Sequence, residues 1–330
     1  MKLKIAHTRA AMRLREPFRI SGYLFEAMPA VIATVSDGDS TGRGEAAGVY
    51  YLNDDPDHME REIERHRGAL EAGIDREALR ALMPTGGARN AIDCALWELE
   101  SLRSGTPVWR LAGVPQPKSL VTTFTLPADD PAVLLRKIEA FASAKAIKLK
   151  LDGDLAADTA RVQAVRGARP DVWLMVDANQ GYGADDLDAL AAMLVDARVS
   201  LLEQPVKRGG EAVLDGWKAP LPIAGDESIL NLEELAEQHS RFDVVNIKLD
   251  KCGGLTEALL IAAEARRLGK NVMVGNMAGS VMAAAPGFVL AQLCDVVDLD
   301  GPYFLADDSA GAEIYSEGMI TVSSSLWGSA

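Results

Sequence analysis

The chain reads as an α/β protein, a TIM-type (β/α)7β barrel preceded by an α+β domain. Three observations carry this reading. From about Val121 onward, short apolar runs alternate with amphipathic, helix-compatible stretches. Eight such runs occur (VTTFTL, AIKLKL, VWLMVDAN, VSLLEQP, PIAGDES, VVNIKLDK, NVMVGNM and VVDLDG), seven of them separated from the next by room for a helix. Markers at the run ends, Lys150, Asp177, Glu203, Asp226, Lys248, Gly275 and Asp298, lie 22 to 27 residues apart, about one βα unit each. Alternation at this period means parallel strands joined by right-handed crossovers, and eight of them favour a closed barrel over an open sheet. No Gly-x-Gly-x-x-Gly turn follows a strand, so a dinucleotide-binding fold has no fingerprint here.

Residues 1–112 form the α+β domain. Lys2–Leu14 and Ala30–Val35 have strand character, and Ser36-Asp37-Gly38-Asp39 is a turn. Asp55–Leu70 is a helix, highly charged on one side. Ala88–Arg103 is a second helix, with Ala91, Ala95, Leu96, Leu99 and Leu102 along its apolar face and Gly105 and Pro107 ending it. Residues 113–310 make the barrel. Residues 311–330 form a polar tail with a strand-like end, expected to pack back on the first domain.

Of 330 residues, 48% are hydrophobic and 25% charged, an ordinary globular composition. The formal net charge of −14 disfavours general binding to nucleic acid or anionic membrane, both of which need a basic footprint. Three scattered cysteines indicate neither a disulfide framework nor a thiolate zinc site, and four scattered histidines no histidine-based metal site. Asn271–Cys294 carries no charge. Gly275, Asn276, Gly279, Pro286 and Gln292 interrupt it, so it reads as a buried strand and a barrel helix rather than a membrane span. The N-terminal residues show no apolar signal region, and a cytoplasmic, reduced protein is expected.

The chemistry concentrates at the ends of the runs, where barrels of this kind keep their active sites. Asp177, Glu203 and Asp226 close the third, fourth and fifth runs. Three like charges at one barrel mouth repel unless a cation lies among them, and oxygen donors without His or Cys suit Mg2+, with Mn2+ as a substitute. The alternative is that each acid caps the helix after it. Lys148 and Lys150 lie two apart on the second run and so point to one side, and Lys248 lies on the sixth. In an eight-stranded barrel those runs face each other, so lysines approach a metal-bound substrate from opposite faces. Adjacency of Lys148 and Lys150 is expected to lower the proton affinity of both. The alternative is surface lysines or structural ion pairs. Asp298 and Asp300 on the eighth run form an acidic pair for a cationic group distal to the metal, or else a helix cap and a solvated turn.

This ordered constellation resembles the enolase superfamily, in its muconate-lactonizing subgroup. The resemblance spans nearly the whole chain: TGRGEAA and GARNAIDCALWELE in the first domain, then Lys148-Leu149-Lys150, Asp177-Ala178-Asn179, Glu203-Gln204-Pro205, Asp226-Glu227-Ser228, Asn246-Ile247-Lys248 and Lys251-Cys252-Gly253-Gly254. It implies a capping first domain, a Mg2+ site at Asp177, Glu203 and Asp226, and acid/base lysines at Lys150 and Lys248. The seventh run ends Gly275-Asn276-Met277, without the His of a mandelate-racemase-type site. Asp298-Leu299-Asp300-Gly301-Pro302 resembles the acidic motif of dipeptide epimerases, whose pair binds the substrate α-ammonium group. The same resemblance makes Thr125, Lys148, Asn276 and Met277 substrate-facing. Where that family's first-domain loop carries an Arg for a Glu side chain, this chain has Tyr23 or Phe25, with Arg19 the nearest cation. Tolerance for side chains other than Glu, apolar ones included, is therefore expected.

The implied activity is 1,1-proton transfer at the α-carbon of a dipeptide's C-terminal residue, L-Ala-D/L-Glu or a related dipeptide, through a Mg-stabilised enediolate. Alternatives within the superfamily are o-succinylbenzoate synthase, muconate cycloisomerase and N-acylamino acid racemase. A Schiff-base aldolase at Lys150 or Lys248 leaves the three acids without a purpose, and a purely structural barrel leaves the opposed lysines without one. The expected partner is a small dipeptide; association of identical chains is left open.

Overall fold

The computed structural model describes residues 2–20, 23–306, 311 and 313–328. The first domain is a three-stranded antiparallel sheet, β1 (Lys4–Ile20), β2 (Tyr23–Ser36) and β3 (Thr41–Ala46), under the helices α1 (Pro56–Glu71), α2 (Arg76–Leu82) and α3 (Gly87–Ser104). Asp55 caps α1 by accepting from His58 N at 2.8 Å, and Pro56 begins it, which suits a first helical position. The β1–β2 hairpin is longer than the Lys2–Leu14 and Ala30–Val35 strands read from sequence. Its far half pairs Arg19 with Leu24 beyond an irregularity between Arg13 and Phe18, and Leu14 bridges to Leu305 of the barrel. That half buries no helix-facing core, so its apolar periodicity is weak.

The strand β3 lies unusually close to α3. A Cβ added at Gly42 or Gly44 would stand 2.0 Å from Ala95 O or 2.1 Å from Ala91 O, so only glycine permits this backbone-to-backbone approach.

After α4 (Val108–Leu111) and β4 (Leu120–Val121) comes the barrel. Its parallel strands are β5 (Thr123–Leu126), β6 (Ala146–Lys150), β7 (Trp173–Asp177), β8 (Leu201–Glu203), β9 (Ile223–Gly225), β10 (Val244–Lys248), β11 (Asn271–Gly275) and β12 (Val296–Asp298). They correspond in order to the eight apolar runs. Between them run α5 (Pro131–Glu139), α6 (Leu155–Ala168), α7 (Leu187–Asp196), α8 (Leu232–Gln238), α9 (Leu249–Cys252) with α10 (Leu255–Arg267), and α11 (Val281–Ala291). No helix is long and apolar enough to cross a membrane among the described residues. The uncharged stretch at 271–294 is β11 and α11, with Pro286 inside the helix.

Met175, Leu201, Ala224, Val244 and Met273 fill the barrel interior below the strand ends, so the centre is packed rather than a pore. The β12–β5 seam closes by side chains: Leu299 N donates to Thr122 Oγ1 at 3.1 Å and Thr123 Oγ1 to Asp298 Oδ1 at 2.5 Å.

The tail forms β13 (Tyr315–Ser316) and β14 (Met319–Ile320), and β14 pairs with β4. Trp327 Nε1 donates to Arg43 O at 2.9 Å, and Ser101 Oγ to Gly328 O at 3.2 Å. Helix α3 is bound to the barrel as well. Asp93, buried, accepts from Thr256 Oγ1 at 2.5 Å and Thr256 N at 3.0 Å, and buried Arg89 donates to Gly253 O and Cys252 O.

Two glycine substitutions test this packing in opposite directions. Gly44→Ala forces β3 off α3 and should cost about 2–3 kcal/mol. Gly68→Ala, in α1 with nothing within 4 Å of the added Cβ, should stabilise by about 0.5–1 kcal/mol through helix propensity. Denaturant midpoints of the two variants against the parent check both signs.

Candidate active site

The strand ends converge on one buried cluster. Asp177 ends β7 and pairs in register with Glu203, which ends β8; Asp226 follows β9 directly. One carboxylate oxygen from each lies within 4.8 Å of the others, and all three side chains are buried. Asn246 Nδ2 donates to Glu203 Oε1 at 2.7 Å. The other oxygen, Oε2, is 2.8 Å from Lys148 Nζ, close enough to attract it but not aligned for a hydrogen bond. Burial, reinforced by Asp177, pushes the Glu203 carboxyl up to about 8 against the pull of Lys148. Burial also opposes ionisation of Asp177, yet Lys150 and Lys148 hold it down at about 2, and Lys248 and Lys251 hold Asp226 well below the usual carboxylate range. Three hard oxygen donors in a dry site, one of them short of positive charge, fit Mg2+.

The strand alternation of β6 points Lys148 and Lys150 to the same side. Lys150 Nζ lies 2.5 Å and Lys148 Nζ 3.1 Å from Asp177 Oδ2. Across the barrel on β10, Lys248 Nζ donates to Asp226 Oδ2 at 2.7 Å. The expectation that Lys150 lowers the proton affinity of Lys148 does not hold. Burial acts in that direction, but Asp298, Glu203 and Asp177 outweigh it and raise Lys148. Lys248 is raised too: burial works against its charge, and Asp226 more than offsets this.

Asp298 accepts from Lys148 Nζ at 2.9 Å and from Thr123 Oγ1, so it is already compensated; despite burial its pKa is lowered. Asp300 Oδ2 accepts from Thr125 N at 2.6 Å and pairs with no basic side chain among the described residues. Burial, then Asp298, push the Asp300 carboxyl up to about 7. Asn276 bridges the two ends of this loop: in the amide orientation that satisfies both partners, it donates to Asp298 O and accepts from Gly301 N, each at 3.0 Å.

Every predicted site residue outside the metal cluster lines one cavity: Thr125, Lys148, Lys150, Lys248, Asn276, Met277, Asp298 and Asp300, with Asp226 at its floor. Asp177 and Glu203 lie below, out of solvent. The roof comes from the first domain: Leu14, Phe18, Phe25, Met28, Tyr50 and Tyr51. No arginine lines the cavity among the described residues. Ser21, Gly22 and the side chains of Arg19 and Tyr23 lie outside the described residues, so the loop comparison is tested only at Phe25, which faces the cavity.

Sequence reasoning missed several members. Lys251 Nζ donates to Asp226 Oδ1 and O, Ile229 O and Asn246 O, pinning the loop that carries Asp226. Gln204 Oε1 accepts from Asp226 N and Ser228 N, with Gln204 itself at φ 39°, which turns the chain sharply after Glu203. Glu227 faces the cavity, pushed up to about 7 by burial and then by Asp226. The motif strings contained Lys251, Gln204 and Glu227, so those were within reach. The roof residues were not, because a sheet-edge aromatic carries no signal of what it covers.

The family model described as mandelate racemase / muconate lactonizing enzyme, N-terminal domain, matches residues 3–113, and that described as enolase C-terminal domain-like matches residues 134–325. An L-Ala-D/L-Glu epimerase of Escherichia coli (strain K12) is 36% identical over 93% of this chain and 96% of its own length. An N-acetyl-D-glutamate racemase of a Pseudoalteromonas species is 37% identical over 75% of this chain and 78% of its own. Among solved structures, an enolase family member from Agrobacterium tumefaciens with homology to dipeptide epimerases, holding sodium and L-Ala-L-Glu, superposes with a TM-score of 0.92 at 34% identity, over 99% of this chain and 100% of that one. A dipeptide epimerase from Methylococcus capsulatus with Mg and L-Arg-D-Lys reaches a TM-score of 0.88 at 26% identity, over 98% of each chain. Two matched domains, an acid cluster on three successive strands and lysines on opposed ones lead to one conclusion: this chain belongs to the mandelate racemase / muconate lactonizing enzyme family of the enolase superfamily.

Proposed function

We propose that the chain is a dipeptide epimerase, an isomerase that inverts the α-carbon of a dipeptide's C-terminal residue. The observation that carries this reading is the opposition of Lys150 and Lys248. They stand on strands four places apart, on either side of the cluster Asp177, Glu203 and Asp226. Those three acids would hold Mg2+, or Mn2+ in its place, with the substrate carboxylate beside them. Bound there, the ion supplies positive charge against which that carboxylate accepts the electron pair left when the α-proton departs.

Lys150 and Lys248 perform the proton transfers. One, neutral, takes the α-proton onto Nζ as the C–H bond breaks. The other, as ammonium, returns a proton to the opposite face, and the reverse reaction exchanges their roles. Lys148, held among Asp177, Glu203 and Asp298, serves as the fixed positive charge that lets these acids share a dry site. Asp300 is the better ammonium ligand of the acidic pair, since Asp298 already has Lys148 and Thr123. Thr125 orients Asp300 through its N–H, and Asn276 and Met277 wall the cavity. The roof of Leu14, Phe25 and Met28 suits an apolar side chain at the inverted centre. The N-acetyl-D-glutamate racemase relative favours a second reading, an N-acylamino acid racemase, which needs no ammonium site.

Five measurements test the proposal. Incubating L,L-dipeptides with enzyme and Mg2+ in D2O should put one deuterium at the C-terminal α-carbon. Lys248→Ala and Lys150→Ala should each abolish epimerisation while leaving at most α-proton exchange from one stereoisomer; a near-parental epimerisation rate in either variant refutes the two-base geometry. Chelator-treated enzyme should be inactive and regain turnover with Mg2+, and full activity without metal rejects the role given to the three acids. N-acetylation of the dipeptide should lower kcat/KM by about 10- to 150-fold, the worth of a charge-assisted hydrogen bond at ~1.5–3 kcal/mol. Because Asp300 binds an ammonium only when ionised, and burial with Asp298 sets its pKa at about 7, kcat/KM for free dipeptides should fall as pH drops through 7. N-acetyl substrates and Asp300→Asn should show a shallower fall, keeping only the part that the neutral lysine base imposes on every substrate. Equal turnover of N-acetylated and free substrates decides for the second reading.

A further inference from the structure

A second cavity, of about 430 Å3, adjoins the barrel mouth. It lies where β1, the loop after β5, α5 and the segment after β12 meet, and it shares Phe18, Thr125 and Phe304 with the first cavity as common walls. The Phe18 and Phe304 rings, with centroids 5.1 Å apart, form the partition. Behind them Phe141 and Tyr303 pack at 5.4 Å, giving the space an apolar floor.

Its charged groups are Arg15, Glu16, Arg136 and Lys137. Lys137 is satisfied, at 3.3 Å from Glu16 and 3.0 Å from Asp129. Arg15 Nε donates to Leu305 O at 2.9 Å and the guanidinium stands 5.8 Å from the Tyr303 ring centre. Arg136 donates only to Ala132 O at 3.0 Å. Neither guanidinium meets a carboxylate among the described residues. On a chain with 48 acids against 34 bases, two such groups give this cavity a net positive lining, which favours an anionic guest.

Its location relative to Asp300 says which part of a substrate reaches it. Thr125 binds Asp300 through its N–H and walls both cavities. An ammonium held at Asp300 therefore stands beside the partition, and the other substituent of the N-terminal α-carbon faces it. We propose that the second cavity takes the side chain of the substrate's N-terminal residue and selects an acidic one, so that preferred substrates are dipeptides beginning with L-Glu or L-Asp. This rests on the dipeptide reading of the barrel mouth. The side chain enters beside Thr125, along the edge of the Phe18–Phe304 pair, and its carboxylate meets Arg15 and Arg136.

The test compares kcat/KM for L-Glu-L-Leu, L-Ala-L-Leu, L-Lys-L-Leu and N-succinyl-L-leucine, read as α-deuterium gained in D2O with Mg2+. Both guanidiniums are exposed, so the expected preference for L-Glu-L-Leu over L-Ala-L-Leu is about three- to tenfold, with L-Lys-L-Leu below both. Arg136→Gln and Arg15→Gln should each bring the Glu/Ala ratio toward one, and added salt should narrow it in the parent. A ratio at or below one in the parent, or a ratio unchanged in both variants, overturns the proposal while leaving the dipeptide reading intact. N-succinyl-L-leucine as the best substrate also overturns it, because the anion then enters as an acyl group. No deuterium in any of the four removes the dipeptide reading and this proposal together.

Discussion

The barrel mouth is governed by the cost of burying like charge. Six carboxylates, Asp177, Glu203, Asp226, Glu227, Asp298 and Asp300, and four lysines, 148, 150, 248 and 251, are all buried there. Isolated, any one of them would be strongly disfavoured; together they persist because four of the acids, Asp177, Glu203, Asp226 and Asp298, lie against lysines. The balance is incomplete by two charges. That shortfall shows in Glu203, Glu227 and Asp300, whose pKa values burial and a neighbouring acid raise to about 7 to 8. A divalent cation at Asp177, Glu203 and Asp226 would close the deficit, so the charge arrangement suits a metal there.

The same balance depends on the two domains acting as one body. The first domain does more than cover the mouth. Glu45 of β3 accepts from Ser280 N at 2.8 Å and from Ser280 Oγ, holding the loop that leads from Asn276 into α11. Gly48 N donates to Asp250 Oδ1 at 2.9 Å, just beyond Lys248, and α3 grips the turn after α9 through Arg89. Roof and machinery are thus joined by buried, charge-assisted hydrogen bonds, which transmit a displacement on one side to the other.

The barrel was legible because parallel strands buried on both faces leave apolar runs, and because, Lys148 within β6 apart, the charges on those runs fall at the strand ends. Thus Asp177, Glu203, Asp226 and Lys248 stood out as charges at apolar boundaries. The longer first hairpin did not, since its outer half packs on the barrel and a cavity rather than on a helix. Pattern also could not separate Asp298 from Asp300. Both sit two apart on one run, but only the fold brings Lys148 to the first and leaves the second with a backbone N–H. The proton affinity of Lys148 was misjudged for a related reason: a neighbour on the same strand is visible in sequence, while three acids from other strands are not.

The hairpin that roofs the cavity has a consequence of another kind. Leu14, Phe18, Phe25 and Met28 belong to neither of the large hydrophobic cores of the barrel nor to that of the first domain. Leu14 is buried and bridges to Leu305, but Phe25 and Met28 are only half-buried, so replacing those two alters the cavity wall at less cost to the folded chain. Barrel-mouth residues such as Lys148, Asp177, Asp226 and Lys248 have less latitude, because each leaves a buried partner uncompensated when it is replaced. The cavity wall can therefore change at the hairpin through small, individually viable steps while the charged cluster beneath it is kept.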